Sequence, residues 1–222
     1  MHIAPGTLSS PWVLGAGLAA SAGAVAAASA RLRSTLSEDR APLIGVLGAF
    51  VFAAQMINFA LPGMPVSGHL MGAALLTVLL GPAAAIVALA AVLLVQALLF
   101  QDGGLLEWGA NTFNMAVIGS LVAHGIHRLV NPRGIRGLRL RLGAGLAAFA
   151  SLLAAAAACA LELVLCGNDP ALVFAGVLGV HLLIAIGEAV VTVLSLEAIL
   201  AVAGGTPAGG ILGAGSSLRE GP

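Results

Sequence analysis

Six long apolar stretches constrain this chain more than any other feature. They cover residues 11–30, 42–62, 82–101, 111–130, 142–166 and 171–203. At 1.5 Å per helical residue, about 20 residues cross the roughly 30 Å hydrocarbon core of a bilayer. Charged residues make up 8% of the 222 residues, whereas a soluble domain needs roughly a quarter. The sequence therefore predicts an all-α, polytopic membrane bundle that forms one domain over residues 1–222.

A shorter apolar segment, residues 68–80, lies between two prolines and a Gly-Pro pair. Counting it gives about seven transmembrane helices. If the N-terminus is outside, all nine arginines fall in the cytoplasmic segments 31–41, 128–141 and 204–222. Cytoplasmic loops are enriched in basic residues, so the sequence predicts an external N-terminus and a cytoplasmic C-terminus. Residues 1–10 and 63–68 then share the outer face.

The first two residues, Met1 and His2, form a potential chelating group. A bulky second residue should prevent removal of the initiator Met. The α-amine of Met1, the amide nitrogen of His2 and the Nδ1 atom of His2 could then close two fused chelate rings on one metal ion. Taken alone, however, an early histidine most often belongs to a mobile chain end.

A further imidazole would complete a planar set of four nitrogens, which is diagnostic of Ni(II) or Cu(II). His69 is the natural candidate because it follows the predicted outer loop, although it could instead hydrogen-bond that loop. His181 in the last helix stays an alternative, whereas His124 and His127 are predicted at the cytoplasmic end.

An intramembrane hydrolase is a rival interpretation, because Ser67-Gly68-His69 could surround a nucleophile. Ser67 and His69 are only two residues apart, and no acidic partner is evident nearby. A hydrolase would also leave His2 unexplained, so the sequence disfavours an enzyme.

Three separated motifs carry a resemblance to a known family. They are MHIAPGTLS at the N-terminus, PVSGHLMGAALLTVLLGP at 65–82 and QALLFQDGGLLEWGANTFNMAVIG at 96–119. The chain resembles the NikM/CbiM family, the substrate-specific S components of energy-coupling factor (ECF) transporters for nickel or cobalt. The SGHLMG form at 67–72 is closer to the nickel members.

The resemblance implies that Met1, His2 and His69 supply four nitrogens to a transported Ni²⁺ or Co²⁺ ion. It also implies a bacterial inner (plasma) membrane location, a transmembrane coupling (T) subunit, cytoplasmic ATPase subunits and a small two-helix accessory subunit. The chain has no GxxxxGK[ST] motif, so ATP would be used by the partners only. A stand-alone secondary metal permease, with Glu188 as the coupling group, is the alternative.

Several polar and small residues complete the predictions. Oxygen or amide side chains that could orient a metal-bound imidazole are Ser67, Asn111 and Asn114. Asn111 could instead cap its helix. Glu188 is expected to make a polar contact between helices, with docking of another subunit as the alternative, whereas Glu162 is expected to reach water at its helix end. A ridge of small residues on the first helix, Gly15, Ala19, Gly23 and Ala27, predicts either close packing within the bundle or a docking face for another subunit.

Overall fold

The computed structural model describes residues 1–37, 41–134 and 136–203, which are predominantly helical. The helices in chain order are α1 (Pro11–Thr35), α2 (Ala41–Gln55), α3 (Ala73–Leu80), α4 (Pro82–Val95), α5 (Trp108–Thr112), α6 (Gly119–Val130), α7 (Leu138–Leu165) and α8 (Pro170–Ala203). Two π-helical turns, Gln96–Phe100 and Phe113–Ile118, extend α4 and join α5 to α6. Helices α5 and α6 thus form one continuous helical segment, called the α5–α6 rod below. π-helical turns of this kind often mark functional sites.

Four helical segments among the described residues are long and apolar enough to cross a membrane: Pro11–Thr35, Pro82–Phe100, Leu138–Leu165 and Pro170–Val202. Large apolar side chains such as Leu183 and Leu194 lie exposed on α8, as expected of a surface that faces lipid rather than water. The all-α membrane class is therefore supported. The count of seven crossings and the orientation stay predictions, and Arg40 and Arg219, on which the orientation partly rests, lie outside the described residues.

The second apolar stretch, predicted to be helical over 42–62, is shorter than expected. Helix α2 ends at Gln55, and the chain then forms a small antiparallel hairpin of β1 (Phe59–Ala60) and β2 (Ser67–Gly68). Pro62 and Pro65 lack the N–H groups that a helix requires, and Gly63 adopts a φ of +70°. The predicted helix is therefore wrong beyond Gln55, because the apolar residues that follow form a turn and a hairpin.

The N-terminal segment pairs with this hairpin through backbone hydrogen bonds. Ile3 forms an isolated antiparallel bridge with Val66, the Ala4 amide donates to the Pro65 carbonyl at 2.9 Å, and the Ser67 amide donates to the His2 carbonyl at 3.0 Å. Backbone pairing therefore fixes the register of the first residues against the hairpin that leads to His69.

The short segment predicted at 68–80 enters the bundle as irregular chain before it becomes helix. After β2, residues 69–72 lead into the eight-residue helix α3, which Gly72 precedes with a φ of +77°. The buried carboxylate of Glu188 accepts hydrogen bonds from the Met71 and Gly72 amides at 2.9 and 2.7 Å. Backbone of this kind is tolerated inside a membrane protein only where protein satisfies it, and Glu188 does so here. The expected polar contact of Glu188 is therefore observed.

Small residues bring several helices into close contact. The buried face of α1 includes Gly17, which lies against the Ala110 backbone, and Ser21, whose hydroxyl donates to the Gly109 carbonyl at 2.6 Å. The predicted ridge on the same helix faces outward, since all four of its residues are exposed: Gly15, Ala19, Gly23 and Ala27. Packing of that ridge inside the chain is thus wrong, and its face is left open to lipid or to a partner.

Candidate metal centre

The first three residues are built into the core rather than left as a mobile end. Met1, His2 and Ile3 are at most 2% exposed. Asn111 at the start of the α5–α6 rod holds them in place: its Oδ1 accepts from the Ile3 amide at 2.8 Å, and its Nδ2 donates to the Gly103 carbonyl at 2.7 Å. The N-terminus therefore has a single defined position beside the hairpin.

Two imidazole rings face each other in this buried region. The rings of His2 and His69 stack with centroids 4.6 Å apart and an interplanar angle of 29°. The Nδ1 atom of His69 lies 2.7 Å from the Leu70 carbonyl oxygen, so that nitrogen must carry the proton and donate it. The buried Nε2 atom of His69 makes no hydrogen bond, which leaves its lone pair free for another partner.

Ser67 connects the remaining proposed donors. Its hydroxyl oxygen lies 3.4 Å from the Met1 α-amine nitrogen and accepts from the His2 amide at 3.1 Å. The α-amine and the amide nitrogen thus point toward one place. Ser67 was predicted to orient an imidazole, whereas in this fold it contacts the two backbone nitrogens of the chelating segment.

Burial keeps these nitrogens uncharged at neutral pH. Desolvation lowers the pKa of the Met1 α-amine from 8.0 to about 4. The pKa of His2 is also lowered, primarily by desolvation. A neutral amine or imidazole has a lone pair to offer a metal ion, so the pocket holds its donors ready for coordination.

The other sequence-predicted residues take separate positions. Asn111 binds backbone of the N-terminal segment and of the Gly103 loop rather than an imidazole. Asn114 does not reach the chelating nitrogens and instead donates to Glu162 Oε2 at 2.7 Å, linking the π-helical turn to α7. Glu162 therefore has a protein partner. His181 Nδ1 lies 2.7 Å from the Val177 carbonyl oxygen.

Sequence reasoning missed Asp102, which touches the proposed donor set. Its Oδ1 atom lies 3.1 Å from His2 Nδ1. Burial pushes the pKa of Asp102 upward, but His2 and the nearby α-amine leave it below its usual value of 3.8. The Asp-Gly-Gly sequence inside the third motif could have pointed to Asp102. Glycine is needed at position 103 because a Cβ there would lie only 2.8 Å from His2 Cδ2.

The proposed centre does not consist of metal-binding side chains alone. Within residues 1–37, 41–134 and 136–203, no group of three His, Cys, Asp or Glu side chains is placed to hold a metal ion. The donor set predicted from the sequence instead combines two imidazoles, one amide and one chain terminus, and the structure buries these groups near one another. Such a donor set suits the planar coordination of Ni(II) or Cu(II) better than tetrahedral Zn(II).

Comparison with known proteins identifies the family of this chain. Residues 2–204 match the family model of CbiM, described as the cobalt uptake substrate-specific transmembrane region. The chain is 41% identical over 133 residues to the fused nickel transport protein NikMN of Rhodobacter capsulatus, covering 60% of this chain and 38% of that one. It is 35% identical over 185 residues to the cobalt transport protein CbiM of Thermosediminibacter oceani, covering 81% and 74%.

A solved structure shares the fold. The crystal structure of a truncated transition metal transporter superposes with a TM-score of 0.84 at 32% identity, covering 91% of this chain and 99% of that one. The match to NikMN spans less than two thirds of that relative's length. The resemblance carried by the three sequence motifs is confirmed, and the chain belongs to the CbiM family of substrate-specific membrane proteins for metal uptake.

Proposed function

We propose that this chain is the substrate-binding membrane subunit of an ECF-type importer, which captures Ni²⁺ or Co²⁺ at the outer face and delivers it inward with ATP-driven partners. One observation supports the proposal: the Met1 α-amine and the His2 amide both contact the Ser67 hydroxyl, and the buried rings of His2 and His69 stack beside them. In the proposed complex the lone pairs of these four nitrogens bind a single metal ion.

Coordination would proceed by exchange of water for nitrogen. The α-amine, the amide and Nδ1 of His2 close two fused rings around the ion, and His69 Nε2 supplies the fourth nitrogen. The hydrogen bond between His69 Nδ1 and the Leu70 carbonyl fixes the ring tautomer that leaves Nε2 free, as partners of metal-bound histidines commonly do. The amide proton must leave when the metal binds, whereas the neutral amine has no proton to lose.

Nickel is the favoured substrate. A planar four-nitrogen set is typical of Ni(II), and the SGHLMG sequence at 67–72 resembles the nickel form of the family. Relatives are named for nickel transport and for cobalt transport, so Co²⁺ belongs in the same test.

Release inward requires energy from partners. We propose a transmembrane coupling subunit, cytoplasmic ATPases and a small two-helix subunit as those partners. The exposed small-residue face of α1 offers one surface where another membrane helix could approach closely. The contact of Glu188 on α8 with Met71 and Gly72 suggests how movement of a helix would shift the backbone that carries His69 and open the site.

The test uses purified protein with an unmodified N-terminus in detergent. We expect it to bind about one nickel ion per chain, measured by elemental analysis after removal of free metal. A variant with three alanines placed before Met1 should bind none, because the α-amine moves away from the chelate and the histidine no longer lies within the first three residues, where the terminus alone could chelate nickel. The matched control carries the same three alanines at the C-terminus and should bind normally. Equal nickel binding by the N-terminally extended variant would overturn the proposal.

Dependence on partners is tested separately. Cells that express the chain with the proposed coupling and ATPase subunits should accumulate nickel, and cells that express the chain with an inactive ATPase should not. Equal accumulation in both would favour the stand-alone permease.

A further inference from the structure

The proposed donor nitrogens are sealed from solvent, yet the ion they bind must come from water. Met1, His2 and His69 are each at most 2% exposed, whereas the Asp102 side chain beside them is 18% exposed. The Asp102 carboxylate both touches the donor set and reaches solvent. A carboxylate oxygen is an effective ligand for a hydrated divalent ion.

The distance between Asp102 and His2 fits shared coordination. Asp102 Oδ1 lies 3.1 Å from His2 Nδ1, and two ligands at right angles, each about 2.1 Å from a metal ion, lie about 3 Å apart. His2 Nδ1 is buried without a hydrogen-bond partner, and in the tautomer that carries its proton on Nε2 the Nδ1 lone pair is free. The oxygen and the nitrogen can therefore face one ion together.

The other oxygen of this carboxylate is held from a different side. Asn58 Nδ2 donates to Asp102 Oδ2 at 2.7 Å, and Asn58 directly precedes the hairpin that leads to His69. The backbone around Asp102 is also constrained, since Gln101 adopts a left-handed φ of +55° and Gly103 packs on the His2 ring. Oδ1 is thus presented to His2 rather than left to rotate freely.

We propose that Asp102 Oδ1 and His2 Nδ1 form a loading position, where a hydrated Ni²⁺ or Co²⁺ ion first exchanges water ligands before the remaining nitrogens complete its coordination. At this step two water molecules leave the metal, and one oxygen and one nitrogen bind it; no proton or electron is transferred. The ion then moves onto the amide, the α-amine and His69. This inference rests on the proposed function of the same site.

The test measures nickel association and dissociation rates by stopped-flow spectroscopy with Asp102→Asn protein in detergent. Loss of the carboxylate should slow association by about tenfold or more, as for removal of a charge that attracts and guides an ion. The dissociation rate should stay within about twofold of the wild-type rate, because the four nitrogens of the final complex are intact. Asp102→Glu, which keeps the charge, should restore part of the rate.

The matched control is Asp169→Asn, which removes the same charge at the same end of the bundle. Ser9 donates to the Cys166 carbonyl at 3.5 Å, which places the Asp169 loop beside the N-terminal segment. Asp169 caps α8 through the Leu172 amide at 2.9 Å, and asparagine caps a helix equally well. This control should associate with nickel at the wild-type rate.

Three results would overturn the proposal: wild-type association by Asp102→Asn, loss of affinity through faster dissociation alone, or equal slowing by Asp169→Asn. Thermal unfolding without metal checks the fold, and Asn58→Ala, which keeps the Asp102 charge but removes its support, should slow association to a smaller degree. If wild-type protein binds neither nickel nor cobalt, the proposed function itself fails. Normal wild-type binding with an unaffected Asp102→Asn variant refutes the loading position only.

Discussion

The two ends of the bundle handle polar groups in opposite ways. At the end that holds Met1 and His2, polar nitrogens are buried and kept neutral. At the other end, Arg141 and Glu197 form a two-pronged ion pair at 2.8 and 2.9 Å while 51% and 39% exposed. Glu197 follows His181 by 16 residues on α8, or about 24 Å of helix. We therefore expect metal binding at the end with buried, neutral nitrogens, and not at the end where Arg141 and Glu197 are paired and exposed to solvent.

The largest effect should come from removing one donor. His69→Ala should lower nickel affinity by more than about 100-fold, beyond the 10- to 100-fold typical of outer-sphere partners, because one of four nitrogens is lost. Isothermal titration with nickel measures this change. The control His124→Ala, in α6, should bind like wild type. If His69→Ala binds within tenfold of wild type, the fourth ligand has been assigned to the wrong residue.

A smaller loss should follow from releasing the N-terminal segment. Asn111→Ala removes the acceptor for the Ile3 amide, so nickel affinity should fall by roughly 10- to 100-fold. The segment should also become open to aminopeptidase cleavage. Asn168→Ala removes a comparable side-chain bond to the Leu163 carbonyl and should leave nickel affinity unchanged. Unchanged cleavage and affinity in Asn111→Ala would show that the hairpin alone holds the segment.

The contact of Glu188 should matter less for binding than for stability. Glu188→Gln leaves only one oxygen to accept from the Met71 and Gly72 amides, and an unmet buried donor costs about 1–3 kcal/mol. Thermal unfolding should show this loss, with only a few-fold change in nickel affinity. The exposed control Glu197→Gln should affect neither measurement. Wild-type stability of Glu188→Gln would mean that the two amides find another acceptor.

The smallest expected effect is on the number of protons released when nickel binds. The pKa of the buried α-amine, about 4, means that this group is already neutral at pH 7. Nickel binding at pH 7 should therefore release about one proton, from the His2 amide, whereas an exposed amine of ordinary pKa would contribute most of a second. Titration in weakly buffered solution counts the protons. A release near two would show that the amine is charged before the metal binds.

Much of this architecture could be predicted from sequence. The apolar stretches indicated the helices, and the chelating potential of Met1 and His2 depends on residue type alone. The end of α2 could not be placed, because residues 56–61 are as apolar as a helix and only the prolines that follow redirect the chain. The contact of Asn114 with Glu162 could not be predicted, because it joins residues 48 positions apart in the chain. Asp102 was missed because its approach to His2 depends on the left-handed backbone of the preceding residue.

Nickel X-ray absorption of the loaded protein tests the central claim, that the chain terminus itself coordinates the metal, most directly. The wild-type spectrum should fit four nitrogen donors in a plane, and a variant with three alanines before Met1 should lose that signature. A spectrum dominated by oxygen donors, or a planar signature that persists in the extended variant, would contradict the account.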